Sequence, residues 1–265
     1  MENLHRAVQE RAFGGISVVN AVAAWLGSTM AVNLQVNVNI EVGEGKVEGL
    51  LGYVIERLRE QYSLPPIRVT VNSPIPQGGG LKSSSAVTVA LIKGISRLFD
   101  LPLHPPYLSA KFSREAGVSL TGAYDDAFAS YRGGISVTDN ARMEVLKHYE
   151  PPGGIVFLIV PRGGRTTDPK ALRAYPSLFR RLFELALQGK VLEAMRLNGV
   201  AVAEILGYDT TPIEESLRKG ALAAGISGNG PSLFAACKEG EEGPLMDYLS
   251  SLGRVLRTEA VPIDG

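Results

Sequence analysis

Polar and apolar residues alternate with period two along AVNLQVNVNIEV (31–42), which predicts a strand with one face buried. The spacing turns helical in LLGYVIERLREQY (50–62) and ends before Pro65. It returns to period two in IRVTVNS (67–73), where Ile67, Val69 and Val71 share a face. A glycine- and serine-rich link, within PIPQGGGLKSSSAVTVALI (74–92), then opens a helix predicted from about Ser84 to Phe99. A helix from Pro106 to Ala116 and a strand at GISVT (134–138) follow. Pro151, Pro152, Gly153 and Gly154 punctuate the pattern before a new buried strand, GIVFLIVP (154–161). Residues 1–152 and 153–265 therefore read as two domains. In the second, helices are predicted at 176–188, 190–206 and 212–219, then the turn ISGNGPS, strand SLFAACK (232–238), a helix near 242–252 and a last strand in RVLRTEAV (254–261). This succession predicts an α+β fold with a four-stranded sheet.

Composition narrows the function classes. A chain of 265 residues that is 45% hydrophobic can bury a substantial core in one or two domains. Lysine plus arginine balance aspartate plus glutamate at 27 each, so no global field recruits nucleic acid or an anionic membrane, and neither is expected as a partner. Any anion has to be bound locally. The lone Cys237 excludes an intramolecular disulfide and a cysteine-rich zinc site, reads as a small buried hydrophobe, and fits a reducing compartment. The start, MENLHRAVQERAFGG, is polar and no apolar run approaches about 18 residues. We therefore expect neither a signal peptide nor a membrane span, and a cytoplasmic protein. His5, His104 and His148 have no metal-ligand spacing.

The link between strand and helix is where chemistry concentrates. Gly78, Gly79 and Gly80 permit positive φ and close approach of a ligand. Ser83, Ser84 and Ser85 suit a helix N-terminus, whose N–H groups and dipole attract an anion such as phosphate, and Lys82 adds a point charge. Serine hydroxyls there lie within reach of a Mg²⁺ that bridges phosphate oxygens. The same residues equally describe a ligand-free turn with capping serines. A Walker A loop is excluded because Leu81 precedes Lys82, and no G-x-G-x-x-G is present.

Pro76-Gln77-Gly78-Gly79-Gly80-Leu81-Lys82-Ser83-Ser84 resembles the phosphate-binding motif of the GHMP small-molecule kinases. TGAYDDAFASYRGG (121–134) resembles the segment carrying the family's catalytic aspartate, and GISGNGPSLFA (225–235) its C-terminal glycine motif. Within the family the chain looks most like the archaeal type of shikimate kinase, through GGISVVNA (14–21), Gly-Leu-Lys-Ser-Ser-Ser and Thr138-Asp139-Asn140. The resemblance implies a two-domain GHMP kinase fold, with a ribosomal-protein-S5-like N-terminal domain and a ferredoxin-like C-terminal domain. It also implies ATP and Mg²⁺ as cofactors, and transfer of the γ-phosphoryl group to the 3-hydroxyl of shikimate. Homoserine or mevalonate is the alternative acceptor. A non-catalytic nucleotide-binding protein is the alternative of another class, and the presence of Glu115, Asp125 and Asp126 speaks against it.

Residue by residue, the resemblance assigns the nucleotide to Pro76 through Ser85 with Gly228 and Gly230, and Mg²⁺ to Ser84 and Glu115. Glu115, ten residues before Asp125, also reads as solvated helix surface. Asp125 or Asp126 is the base: the resemblance to the homoserine kinases makes Asp125 the favoured one, the mevalonate kinase register lands instead on Asp126, and one of the two reads as a helix cap. Ser17, Asn20, Asp139 and Asn140, short polar residues among apolar ones, are candidates for the acceptor pocket or for turns. Arg162 and Arg165, in PRGGRTT, are candidates for a substrate carboxylate.

Overall fold

The structure is a computed structural model that describes residues 7–164 and 167–264. Its first sheet is built on a long hairpin of β1 (Ala7–Val19) and β2 (Leu26–Val42). The far edge of β2 serves two strands in succession: β3 (Ile67–Asn72) pairs with residues 37–42 and β4 (Ile135–Asp139) with residues 26–30. With β5 (Glu144–Tyr149) beside β4, this gives five strands, all antiparallel. The helices are α1 (Gly49–Tyr62), α2 (Ser83–Phe99), α3 (Pro105–Glu115) and α4 (Tyr124–Arg132). Among them α2 is central, touching β1, β2 and the other three. Its Leu91, Ile92 and Ile95 are fully buried, each contributing about 1.5–3 kcal/mol of apolar burial.

The second sheet, in the order β7-β8-β6-β9, comprises β6 (Ile155–Val160), β7 (Ala223–Ile226), β8 (Leu233–Lys238) and β9 (Leu256–Glu259). It carries a 3-10 helix (Pro169–Ala174), α5 (Pro176–Leu187), α6 (Val191–Leu206), α7 (Thr211–Arg218) and α8 (Gly243–Leu252). The four-stranded sheet agrees with expectation. The five-stranded sheet exceeds it, since β1 and β5 give no alternation strong enough to announce them.

The two ends of β2 differ for one physical reason. From Asn33 to Glu41 polar side chains point outward, while Leu34, Val36, Val38 and Ile40 point into the core. From Gly27 to Val32 every residue is buried, because α5 of the second half packs against β2 and α6 against β1. Period two survives only where one face of a sheet meets water. GGISVVNA (14–21) thus supplies the doubly buried end of β1 and the turn after it. Among the described residues no helix is long and apolar enough to cross a membrane.

Candidate active site

A cleft lies where the β1–β2 turn, the N-termini of α2 and α4, and the loop between β7 and β8 converge. Ser17, Asn20, Pro76, Gly78 to Ser85, Asp125, Asp126, Gly228 and Asn229 line it. Both helices start in the same unusual way. The residue preceding α2 is Lys82, with φ 66°, and the one preceding α4 is Ala123, with φ 53°; neither side chain caps its helix. Left-handed backbone at a non-glycine residue costs about 1–2 kcal/mol, and the first-turn N–H groups have no intrahelical acceptor. Two helix dipoles therefore converge on one cleft. The expected helix-capping aspartate is not found: Asp125 and Asp126 both sit in the first turn of α4 and line the cleft.

The three glycines of the loop before α2 have different tasks. Gly78, at φ +69°, faces open space. A Cβ on Gly80 would lie 2.1 Å from the Ser227 carbonyl oxygen, and one on Gly79 would lie 2.6 Å from that of Arg162. These two let the loop interlock with the second glycine motif: Ser232 N donates to Gly79 O (3.1 Å) and Ser227 Oγ to Gly80 O (2.9 Å). Close approach there is between two backbones.

On the floor of the cleft, Lys82 Nζ donates to Ser17 Oγ (2.7 Å) and pairs with Asp126 Oδ1 (2.9 Å). Thr29 Oγ1 lies 3.0 Å from Asp125 Oδ2 and 2.6 Å from Asp126 Oδ1. Asn140 Nδ2 donates to Asp125 Oδ1 at 2.7 Å. Burial pushes the Asp125 carboxyl up to about 7, and the charge of Asp126 pushes the same way against Lys82, Asn140 and Thr29. A cation, a paired carboxylate and an uncapped helix end facing one space are the parts that phosphoryl transfer to a hydroxyl needs.

Models of the GHMP kinase N-terminal and C-terminal domains match residues 49–134 and 181–254. Shikimate kinase of Pyrococcus abyssi is 35% identical, over 94% of this chain and 97% of its own length. The chain belongs to the GHMP kinase family. It is also 32% identical to shikimate kinase of Methanosarcina acetivorans, over 91% of this chain and 89% of the relative. In fold, this GHMP kinase superposes on Methanococcus jannaschii mevalonate kinase with a TM-score of 0.75 at 16% identity, covering 98% of this chain and all of that one.

Several expected site residues of this GHMP kinase lie elsewhere. The Glu115 carboxylate turns to Tyr53 Oη (3.2 Å) and Lys111, away from the cleft, so it does not meet Ser84. Asn140 is fully buried and works behind the cleft, with its Oδ1 accepting from Thr138 Oγ1 and Asp125 N. Asp139 Oδ1 accepts from Ala141 N and Arg142 N, the role of a turn residue. Arg162 braces the interlocked loops through its backbone, bonding Ser232 Oγ, and its side chain does not line the cleft. Gln77 is exposed outside the lining, and Gly230 lies against the Tyr208 ring behind Asn229. Arg165 lies outside the described residues. Ser17 and Asn20 do reach the cleft, although the Asn20 amide is committed to Gly228 O and Asn229 Oδ1.

Sequence reasoning missed Thr29 and Asn198. The first joins the two aspartates, and the second accepts from Asn20 N at 2.8 Å across the two halves of the molecule. The one available signal was a polar pair, Ser28-Thr29, inside an apolar strand end.

Proposed function

We propose that this protein is an ATP-dependent shikimate kinase, transferring the γ-phosphoryl group of ATP to the 3-hydroxyl of shikimate to give 3-phosphoshikimate and ADP. The setting would be cytoplasmic chorismate and aromatic amino acid biosynthesis. The observation that carries the chemistry is the Lys82–Asp126 pair, side chains only 9% and 13% exposed, in one cleft with the uncapped N-terminus of α2. The acceptor follows from the relatives named shikimate kinase that match nearly the whole chain.

The residues fit a nucleotide's phosphates: the backbone N–H groups of Ser83 to Ser85 start α2, Gly78 opens onto free space, and Lys82 is the one cation among the described lining residues. They also fit a Mg²⁺ carried by the nucleotide, with the exposed hydroxyl of Ser84 as protein ligand. No group of three or more His, Cys, Asp or Glu suited to a metal occurs among the described residues, so phosphate oxygens and water would complete its shell. Mg-ATP supplies the electrophilic phosphorus and neutralises charge on the phosphates.

Asp126 is the base, in the register of the mevalonate kinases. It accepts the proton as the acceptor's O–H bond breaks, its O–P bond forms and the bond to the leaving ADP oxygen breaks. Lys82 holds Asp126 and faces the same space, with Ser17 fixing the ammonium from the other side. Ser17 and Asn20 form the acceptor side of the cleft. The division at 152/153 into two domains fits this reading, with β5 ending at Tyr149 and β6 beginning at Ile155.

Incubation with Mg-ATP and shikimate, homoserine, mevalonate or galactose, with ADP as readout, tests the proposal. Shikimate should stimulate ADP release far above the other three. Preference for another acceptor would overturn the shikimate assignment, and no stimulation by any would overturn the kinase reading.

A further inference from the structure

Thr29 Oγ1 has a single hydrogen, yet lies within hydrogen-bond distance of two carboxylates, Asp125 Oδ2 at 3.0 Å and Asp126 Oδ1 at 2.6 Å. Both bonds form only if one carboxyl brings a proton of its own. The neighbours say which. Asp126 faces the Lys82 ammonium at 2.9 Å, whereas Asp125 is 3% exposed and pairs with no cation among the described residues. A buried charge is far costlier without a counter-ion than with one. The Asn140 amide is fixed by two donors to its Oδ1, Thr138 Oγ1 (2.7 Å) and Asp125 N (3.2 Å), so it presents N–H to Asp125 Oδ1. That oxygen is thus an acceptor, and Oδ2 is the one left to carry a hydrogen.

Space has been cleared for this arrangement. A Cβ on Gly15 would lie 2.7 Å from Thr29 Cγ2, and one on Gly27 would lie 2.7 Å from Asp125 Cγ. The charged groups of the constellation, among the described residues, are Asp125 and Asp126 from α4 and Lys82 from the loop before α2. The strands β1, β2 and β4 and the turn after β4 contribute uncharged groups, Ser17, Thr29, Ser136, Thr138 and Asn140.

We propose that Thr29 is a positioning residue that accepts the Oδ2–H of a neutral Asp125 and donates its own hydrogen to Asp126. It keeps Asp126 aimed and ready for the acceptor's proton. The proton on Asp125 stays in place through the reaction. This rests on the kinase reading above for its consequence, though not for the proton's location.

The test compares Thr29→Val, Thr29→Ser, Asp125→Asn and Asp126→Asn, with infrared spectra of aspartate-labelled protein at pH 6 as a readout that needs no turnover. Thr29→Val keeps the shape and removes the hydroxyl. It should lower kcat by about 10- to 100-fold with KM for both substrates within about threefold, and Thr29→Ser should recover most of the loss. Asp125→Asn, which donates to Thr29 as the neutral acid does, should lose less than about tenfold, against about 100-fold or more for Asp126→Asn. The wild-type spectrum should show a protonated aspartate carboxyl that disappears in Asp125→Asn. Wild-type kcat in Thr29→Val, an Asp125→Asn enzyme as inactive as Asp126→Asn, or no protonated aspartate at pH 6 would each overturn the proposal. If no acceptor stimulates the wild type, the kinase reading falls while the spectra still decide where the proton is.

Discussion

The N-termini of α2 and α4 are built alike and used differently. Each follows a non-glycine residue in left-handed conformation, Lys82 or Ala123, and each lacks a side-chain cap. At α2 the first turn is serine, with Ser84 exposed to the cleft, so the dipole is left for an incoming anion. At α4 the first turn carries its own anion, Asp126, beside Asp125, and the dipole helps hold it. One backbone device thus serves as a receptor for charge in one place and as a mount for charge in the other. Opposite signs meet between them in the Lys82–Asp126 pair.

The comparison breaks most sharply at α4. Asp126→Asn should lower kcat by about 100-fold or more while leaving ATP affinity within a few-fold, because the receptor end is untouched. Steady-state kinetics with a nucleotide-binding titration checks this; loss of ATP binding would show that the two ends are not separable.

At α2 the weak point is the interlock that carries the helix start. Gly80→Ala puts a Cβ within 2.1 Å of the Ser227 carbonyl oxygen at a φ of +82°, so we expect destabilisation by about 2 kcal/mol or more in urea unfolding. Gly78→Ala, at positive φ but in open space, should cost about 1 kcal/mol. Equal losses would mean that the loops do not pack as tightly as their hydrogen bonds indicate.

A smaller effect sharpens the account of α4. The folded pKa of Asp125 is raised from 3.8 to about 7, so between those values the folded chain binds the proton and the unfolded chain does not. This group therefore lowers stability as pH rises through that window. Asp125→Asn cannot ionise, so its stability relative to wild type should improve from pH 5 to pH 8, by at least about 1 kcal/mol. Urea midpoints at the two pH values measure it, and a shift in the opposite direction would show that Asp125 is charged in the fold.

The smallest effect is expected at Glu115. Its carboxylate faces Tyr53 and Lys111, so Glu115→Gln should leave kcat, and the Mg²⁺ concentration giving half-maximal rate, within about twofold. A large rise in the Mg²⁺ requirement would return Glu115 to the metal.

Much of the fold was legible because its signals are local. The alternation from Asn33 to Glu41 and the helical spacing of 50–62 need only neighbouring residues and one face in water. The doubly buried ends of β1 and β2 carry no alternation, so their pairing, and with it the five-stranded sheet, escaped the pattern. At the site, PQGGGLKSSS marked the start of α2, whereas the helix after TGA begins at Tyr124, ahead of the aspartate expected to cap it. The aspartates were misread in part, since neither is a cap, and Gly79 and Gly80 also serve loop packing.

By itself, then, the sequence determined the family, the helix carrying the serines, and the presence of a lysine beside a glycine-rich loop and of paired aspartates. Those are properties of short segments, set by backbone preference and side-chain chemistry. Only the tertiary structure decided that Lys82 meets Asp126, that Asp125 is enclosed by Thr29 and Asn140, and that Glu115 and Asp139 face elsewhere. Thr29 and Asp125 are 96 residues apart in the chain. Their contact exists because β2 and α4 pack together, and no local pattern records which of two adjacent carboxylates that packing will bury.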